Sequence, residues 1–207
     1  MSATVILTLG RMARWEPGAA ERLQRAALEL FATRGFEQTT ATEIAESVGL
    51  TERTFFRHFS DKREVLFHGQ DLLVKAFVEG VAGAPPGSPI EIVGSALQAG
   101  TSTFPDERRP YASLRQSVID QNPALQERER HKLATLATAV ADALRARGVD
   151  DLAATLAAET GITVFGVAFG LWIREGERRS LPDITAQVLR ELLAMTATAG
   201  EVGSTRP

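Results

Sequence analysis

Between Thr40 and Lys62 the chain concentrates the side chains best suited to engage a polyanion. Thr51 caps a helix of about nine residues whose Phe55 and Phe59, four apart, face inward. Glu52, Arg53, Phe56 and Arg57 are left on its outer face, where the major groove of a duplex can receive such a helix. A shorter helix precedes it. Thr40 and Glu43 form a capping box at its start, Ile44, Ala45 and Val48 are its buried positions, and Gly49 turns the chain. Helix, glycine turn and helix together read as a helix-turn-helix. From Thr51 to Arg63 there are four Lys/Arg against two acids, plus His58, whereas residues 1–67 carry nine of each sign. The basic footprint is therefore narrow. The same spacing also fits an ordinary three-helix packing unit whose charges form a solvated face.

The elements that position this segment are helical throughout. Ala19 to Arg34 places Leu23, Ala27, Leu30 and Phe31 on one face, and Gly35 ends the run. Beyond Ser60 or Asp61 a fourth helix is expected to run unbroken through Val65, Leu66, Leu72, Leu73 and Phe77. Gly83-Ala84-Pro85-Pro86-Gly87 is a loop, and Ser88-Pro89-Ile90-Glu91 restarts a helix with a cap, a first-turn proline and an acid. Further starts fall near Asp106, Asn122-Pro123, Asp150 and Leu181-Pro182. No segment shows sustained strand alternation. The expected fold class is all-α: an N-terminal three-helix unit over residues 17–66 and a larger helical unit over 67–200, flanked by an extension (1–16) and a tail (201–207).

Composition removes several function classes. With no cysteine, a disulfide scaffold, thiolate zinc site, iron–sulfur cluster and cysteine nucleophile are all excluded. His58, His68 and His131 are too scattered for a histidine-rich metal site, so no metal or cofactor is expected. No Gly-x-x-x-x-Gly-Lys, Gly-x-Gly-x-x-Gly or Gly-x-Ser-x-Gly occurs, so no catalytic residue is assigned and an enzyme is not expected. The net charge of −3 argues against a general polyanion binder. Of 23 basic residues only Lys62, Lys75 and Lys132 are lysine, a bias read as codon composition. Met1 to Gly10 lacks the basic flank and cleavage site of a secretory signal. The most apolar later stretch, Ile162 to Ile173, has 12 residues, too few to span a bilayer. A cytoplasmic protein without a membrane partner is expected, and residues 1–11, ahead of Met12, are read as an extension or alternative start.

The residues from Thr39 to Thr51 (Thr-Thr-Ala-Thr-Glu-Ile-Ala-Glu-Ser-Val-Gly-Leu-Thr) and from Phe55 to Leu66 (Phe-Phe-Arg-His-Phe-Ser-Asp-Lys-Arg-Glu-Val-Leu) resemble the DNA-binding region of the TetR family of bacterial transcriptional regulators. Ala27 to Phe36 is similar to that family's first helix and its ending. The resemblance covers Leu23 to Leu66, about a fifth of the chain. It implies that Thr40 caps and meets a phosphate, that Thr42 and Arg53 face the groove, and that Thr54, His58 and Lys62 hold phosphates. Arg53 is then the candidate for bidentate recognition of guanine, Glu52 for cytosine, and Arg57 for a base or a phosphate. Phe56 stands where the family commonly has a tyrosine that bonds a phosphate; phenylalanine retains only apolar contact.

The resemblance further implies a homodimer on a double-stranded operator and a small-molecule effector in the C-terminal helices. Gly166 and Gly170 would admit a neighbouring helix, and Ile184, Val188, Leu192 and Met195 form a stripe suited to a dimer seam, the reading the resemblance favours; the alternative is that both helices fill one subunit's core. Phe104, Tyr111, Leu114, Phe165, Phe169 and Trp172 are candidate pocket residues, with Arg115 available to an acidic ligand or to a salt bridge. The expected function is a repressor that leaves a near-palindromic operator when the effector binds. An activator, or a helical interaction protein without ligand control, is the alternative.

Overall fold

The computed structural model describes residues 18–201, with side chains through Thr196. The expectations for residues 1–16 and 202–207 lie outside the described residues. Nine α-helices run through the described part: α1 (Ala19–Arg34), α2 (Ala41–Ser47), α3 (Glu52–His58), α4 (Gln70–Gly83), α5 (Pro89–Thr101), α6 (Arg109–Asp120), α7 (Pro123–Ala146), α8 (Asp151–Trp172) and α9 (Leu181–Glu201). Two short 3-10 turns, Glu64–Phe67 and Asp106–Arg108, precede α4 and α6.

The capping signals form as the sequence requires. Thr40 Oγ1 accepts from the Glu43 amide while the Glu43 carboxylate accepts from the Thr40 amide and hydroxyl. Those hydrogen bonds, with Arg34 nearby, hold the Glu43 carboxyl below its ordinary range. Ser88 and Glu91 repeat the arrangement at α5, and Asp150 caps α8. Gly49, between α2 and α3, has a φ of 69°, a left-handed conformation that glycine adopts without steric cost.

One expected element is different. The fourth helix does not run on from Asp61. The Asp61 carboxylate accepts from the Arg63 and Glu64 amides, a 3-10 turn follows, and Gly69 takes a φ of 89° before α4 begins. The apolar pattern continues across this break, because Val65, Leu66 and Phe67 enter one core and Phe77 another.

Two hydrophobic cores result. The first joins Leu23, Phe31, Ile44 and Phe55 of α1–α3 to Phe59, just past α3, and to Val65–Phe67, and α6 and α7 complete it with Val118, Ile119 and Leu125. The second lies among α4, α5, α7, α8 and α9, around Phe77, Leu97, Leu136, Leu144, Phe165 and Trp172. Helix α8 also corrects a length argument. Its apolar character extends back through its alanines, so that Asp151–Trp172, 22 residues long and with a mean hydropathy of 1.6 over its most apolar 18 residues, has the length and composition to cross a membrane. Here Ala154, Ala158, Gly161, Phe165 and Trp172 instead pack into the second core.

Candidate nucleic-acid interface and adjoining cavity

Helix α3 is held by its inner face and offers its outer one. Phe55 is completely buried and Phe59 nearly so, their rings tilted against each other at 5.3 Å. Thr51 caps α3, its Oγ1 accepting from the Thr54 amide and lying 3.1 Å from the Thr54 hydroxyl. Glu52, Arg53, Arg57 and His58 are exposed, and Phe56 is 49% exposed with its ring edge-on to Phe55. Arg53 and Arg57 make no ion pair among the described residues, so both guanidinium forks are available to a ligand. Thr40 is exposed at the start of α2, and Thr42 and Thr54 are half-buried.

Lys62 is placed otherwise than as a free cation. Its Nζ donates to the carbonyls of Phe36 (2.8 Å) and Thr39 (3.2 Å) and lies 4.2 Å from the centre of the Phe36 ring. It ties the chain after α3 to the loop between α1 and α2 with two of its three donors.

Beside this unit lies a cavity of about 620 Å³. Phe104, Tyr111, Arg115, Phe165 and Phe169 line it as the sequence suggests; Leu114 and Trp172 do not. Leu114 lies in a separate groove with Phe31 and Phe36, because α6 turns that face toward α1. Trp172 is completely buried in the second core, its Nε1 donating to Asp106. The wall also contains residues that local patterning does not single out, among them the whole link Leu66–Gln70. Only its position in the folded chain reveals it. Gly166 and Gly170 also face this cavity, with open space where a Cβ would sit.

A polar latch closes the junction between the cavity and the N-terminal unit. Arg115 donates to the Leu66 carbonyl at 2.7 Å, pairs with Glu129 at 3.1 Å and stacks over Phe67. Glu64 pairs with Arg128 and with Lys132. Partial burial pushes the Glu64 carboxyl up, but the hydrogen bonds from Arg128 and Lys132 prevail and hold it below the ordinary carboxylate range. Arg115 thus makes the salt bridge expected of it, but partly buried as an internal tie and not on the surface.

The dimer stripe needs revision as well. Ile184 is buried in the chain's own core, and Val188 and Leu192 pack partly against it, because the inner face of α9 lies on α5 and α8. The large apolar side chains that the described parts of α8 and α9 expose are Leu152, Leu156 and Val167 of α8 and Leu193 and Met195 of α9. A stripe in sequence shows that a face is covered, not by what.

Residues 23–68 match the family model described as bacterial regulatory proteins, tetR family. Residues 87–197, more than half of the chain, match the model described as the MftR C-terminal domain. The chain belongs to the TetR family. It is 40% identical over 80 residues to the HTH-type transcriptional regulator TcmR of Streptomyces glaucescens, a match covering 38% of this chain and 35% of TcmR. The chain therefore spans about a third of the length of that curated relative. Among solved structures it is similar to Thermus thermophilus FadR, a TetR-family repressor in complex with lauroyl-CoA, at 25% identity and a TM-score of 0.50, covering 84% of this chain and 93% of that one. Bacillus subtilis FadR, in complex with stearoyl-CoA, shares the fold at 17% identity and a TM-score of 0.58, covering 82% and 95%. This chain is a member of a family of bacterial regulatory proteins.

Proposed function

We propose that the chain is a homodimeric, cytoplasmic repressor that binds a near-palindromic operator through α3 and leaves it when a small, largely apolar effector occupies the cavity. The observation that carries this reading is the shared wall: Leu66–Gln70 both lines the cavity and links the helix-turn-helix to α4. A ligand there acts on the segment that orients the recognition helix, so it favours whichever arrangement of that segment it fits better. In the interface, Arg53 reads guanine, Glu52 cytosine and Arg57 a base or phosphate, while Thr40, Thr42, Thr51, Thr54, His58 and the spare Lys62 donor set register. Phe56 contributes apolar contact alone. Two copies pair through the exposed residues of α8 and α9, placing their recognition helices about one DNA turn apart, roughly 34–36 Å.

The ligand of the Thermus relative makes long-chain acyl compounds the first effectors to test. The experiment is fluorescence anisotropy of the chain on its own upstream intergenic DNA against a scrambled duplex, with and without lauroyl-CoA. Preference for the upstream DNA that is lost on adding the acyl compound is the expected result. Preference that no cavity ligand alters would leave a regulator without this form of control.

A further inference from the structure

We propose that an apolar effector with an anionic head, a carboxylate or a phosphate, binds Arg115 in this cavity and draws its guanidinium away from Glu129 and the Leu66 carbonyl. The proposal rests on reading the cavity as the effector site. It adds the head group that the site takes and the bond through which occupancy reaches the DNA-binding unit.

Arg115 belongs to the cavity and to the link at once. It lines the cavity, while its Nε donates to the Leu66 carbonyl at 2.7 Å and its Nη1 pairs with Glu129 at 3.1 Å. Nη2 makes no hydrogen bond, yet it is not among the atoms sealed from solvent. The guanidinium therefore still has a donor to offer, and carboxylates and phosphates take such a fork in paired bonds. Arg108 lines the wall too, but it stands seven residues earlier, about two turns or roughly 10 Å along α6. Of the two, Arg115 is the one bonded to the link.

The wall is short of negative charge. Arg108, Arg115 and Lys132 face two carboxylates, Asp120 and Glu129. Glu129 is shared between Arg115 and Gln116, and the Glu64 that answers Lys132 also answers Arg128. Arg115, Arg108 and Arg25 all favour the ionised form of the neighbouring Tyr111 hydroxyl, so the field around them suits an anion. The body of the ligand is set by α8, which brings Phe165, Gly166, Phe169 and Gly170 to the cavity and no polar side chain. Phe104 lies 6.0 Å from the Phe165 ring and 5.9 Å from that of Phe169. Such a surface accepts an alkyl chain and leaves any charged head to the groups of α6 and α7.

Capture of Arg115 is felt beyond the cavity. Leu66 and Phe67 are buried in the first core, and both lose a partner when the guanidinium leaves: the carbonyl its charged donor, the ring the cation 4.9 Å from its centre. The latch then stands on Glu64, Arg128 and Lys132 alone, and the link is freer to re-orient the helix-turn-helix.

The test uses the intact chain and three probes that share one tail: dodecanoate, dodecyl phosphate and uncharged dodecanol. Titration calorimetry should show an anion binding about tenfold more tightly than dodecanol, the size expected of a charge-assisted pair, and the tighter anion identifies the head. Glu129→Gln removes the competing carboxylate and should tighten that anion severalfold while leaving dodecanol unchanged. In Arg115→Gln the anion and dodecanol should bind alike. Hydrogen exchange across residues 64–70, read by mass spectrometry, should be faster with the anion bound than with dodecanol bound. Equal binding of anions and alcohol to the parent chain would overturn the proposal and leave the cavity a ligand site. Charge preference that survives Arg115→Gln would put the head elsewhere on the wall, at Arg108 or His68, and overturn it too. Should Arg115→Gln fail to fold, unchanged anion affinity in Glu129→Gln is the overturning result. Tighter anion binding without faster exchange of 64–70 would mean that the link stays latched, against the proposal. Failure of all three probes to bind would remove the effector reading of the cavity, and the proposal with it.

Discussion

At the scale of single residues the proposed interface on α3 assigns some side chains to reading bases and others to holding phosphates. Arg53 is exposed and makes no ion pair among the described residues, so a guanine edge can take both arms of its guanidinium. Arg53→Ala is expected to cost about 1–3 kcal/mol on the specific site while sparing random DNA, as read by anisotropy on both duplexes. An equal loss on both would show that Arg53 holds phosphate. Lys62 belongs mostly to holding the protein itself together. Lys62→Ala should lower unfolding stability in urea by about 1–2 kcal/mol, because the Phe36 and Thr39 carbonyls lose a charged donor, and should weaken all DNA sequences alike. The lysine's type and place were legible in the sequence. Its hydrogen bonds were not, because the carbonyls it reaches lie more than twenty residues earlier in the chain.

At the scale of elements, whatever is decided within a few residues could be read in advance. The Thr40–Glu43 and Ser88–Glu91 boxes, the Gly49 turn and the start of α9 near Leu181 all formed where local patterning places them. The break at Gly69 could not be read, because a helical apolar stripe looks the same whether it enters one core or crosses between two. The broken link is held by Glu64, and that pairing depends on pH. Its folded carboxyl lies below the ordinary range, so its contribution is complete above that range and fades as pH falls through the lowered value. Glu64→Gln should therefore cost about 1–2 kcal/mol near pH 7, with the two thermal-stability curves converging below about pH 4. Parallel curves would mean that Glu64 contributes no charge-dependent stability. Helices α4 and α5 meet without space to spare, since a Cβ on Gly100 would lie 1.9 Å from the Phe77 ring. Gly100→Ala should destabilise by about 1–3 kcal/mol in urea unfolding. Gly83→Ala, with nothing within 4 Å, should not.

At the scale of the whole molecule, α8 joins the other features: its buried side fills the second core, Gly166 and Phe169 face the cavity, and Leu152, Leu156 and Val167 are left outside. The outer residues predict a second copy. Leu156→Glu, 60% exposed in one chain, should give a folded monomer by light scattering and lose at least tenfold in operator affinity, because each half-site then binds alone. A folded dimer would place the seam elsewhere. The account rests most heavily on α3 reading DNA as one of a symmetric pair. Selection from a randomised duplex pool at physiological salt, followed by sequencing of the retained DNA, tests that directly. The account predicts enrichment of a near-palindrome whose half-sites lie about one helical turn, roughly 10–10.5 base pairs, or a multiple of it apart. A retained pool with no common sequence, bound only at low salt, would contradict it.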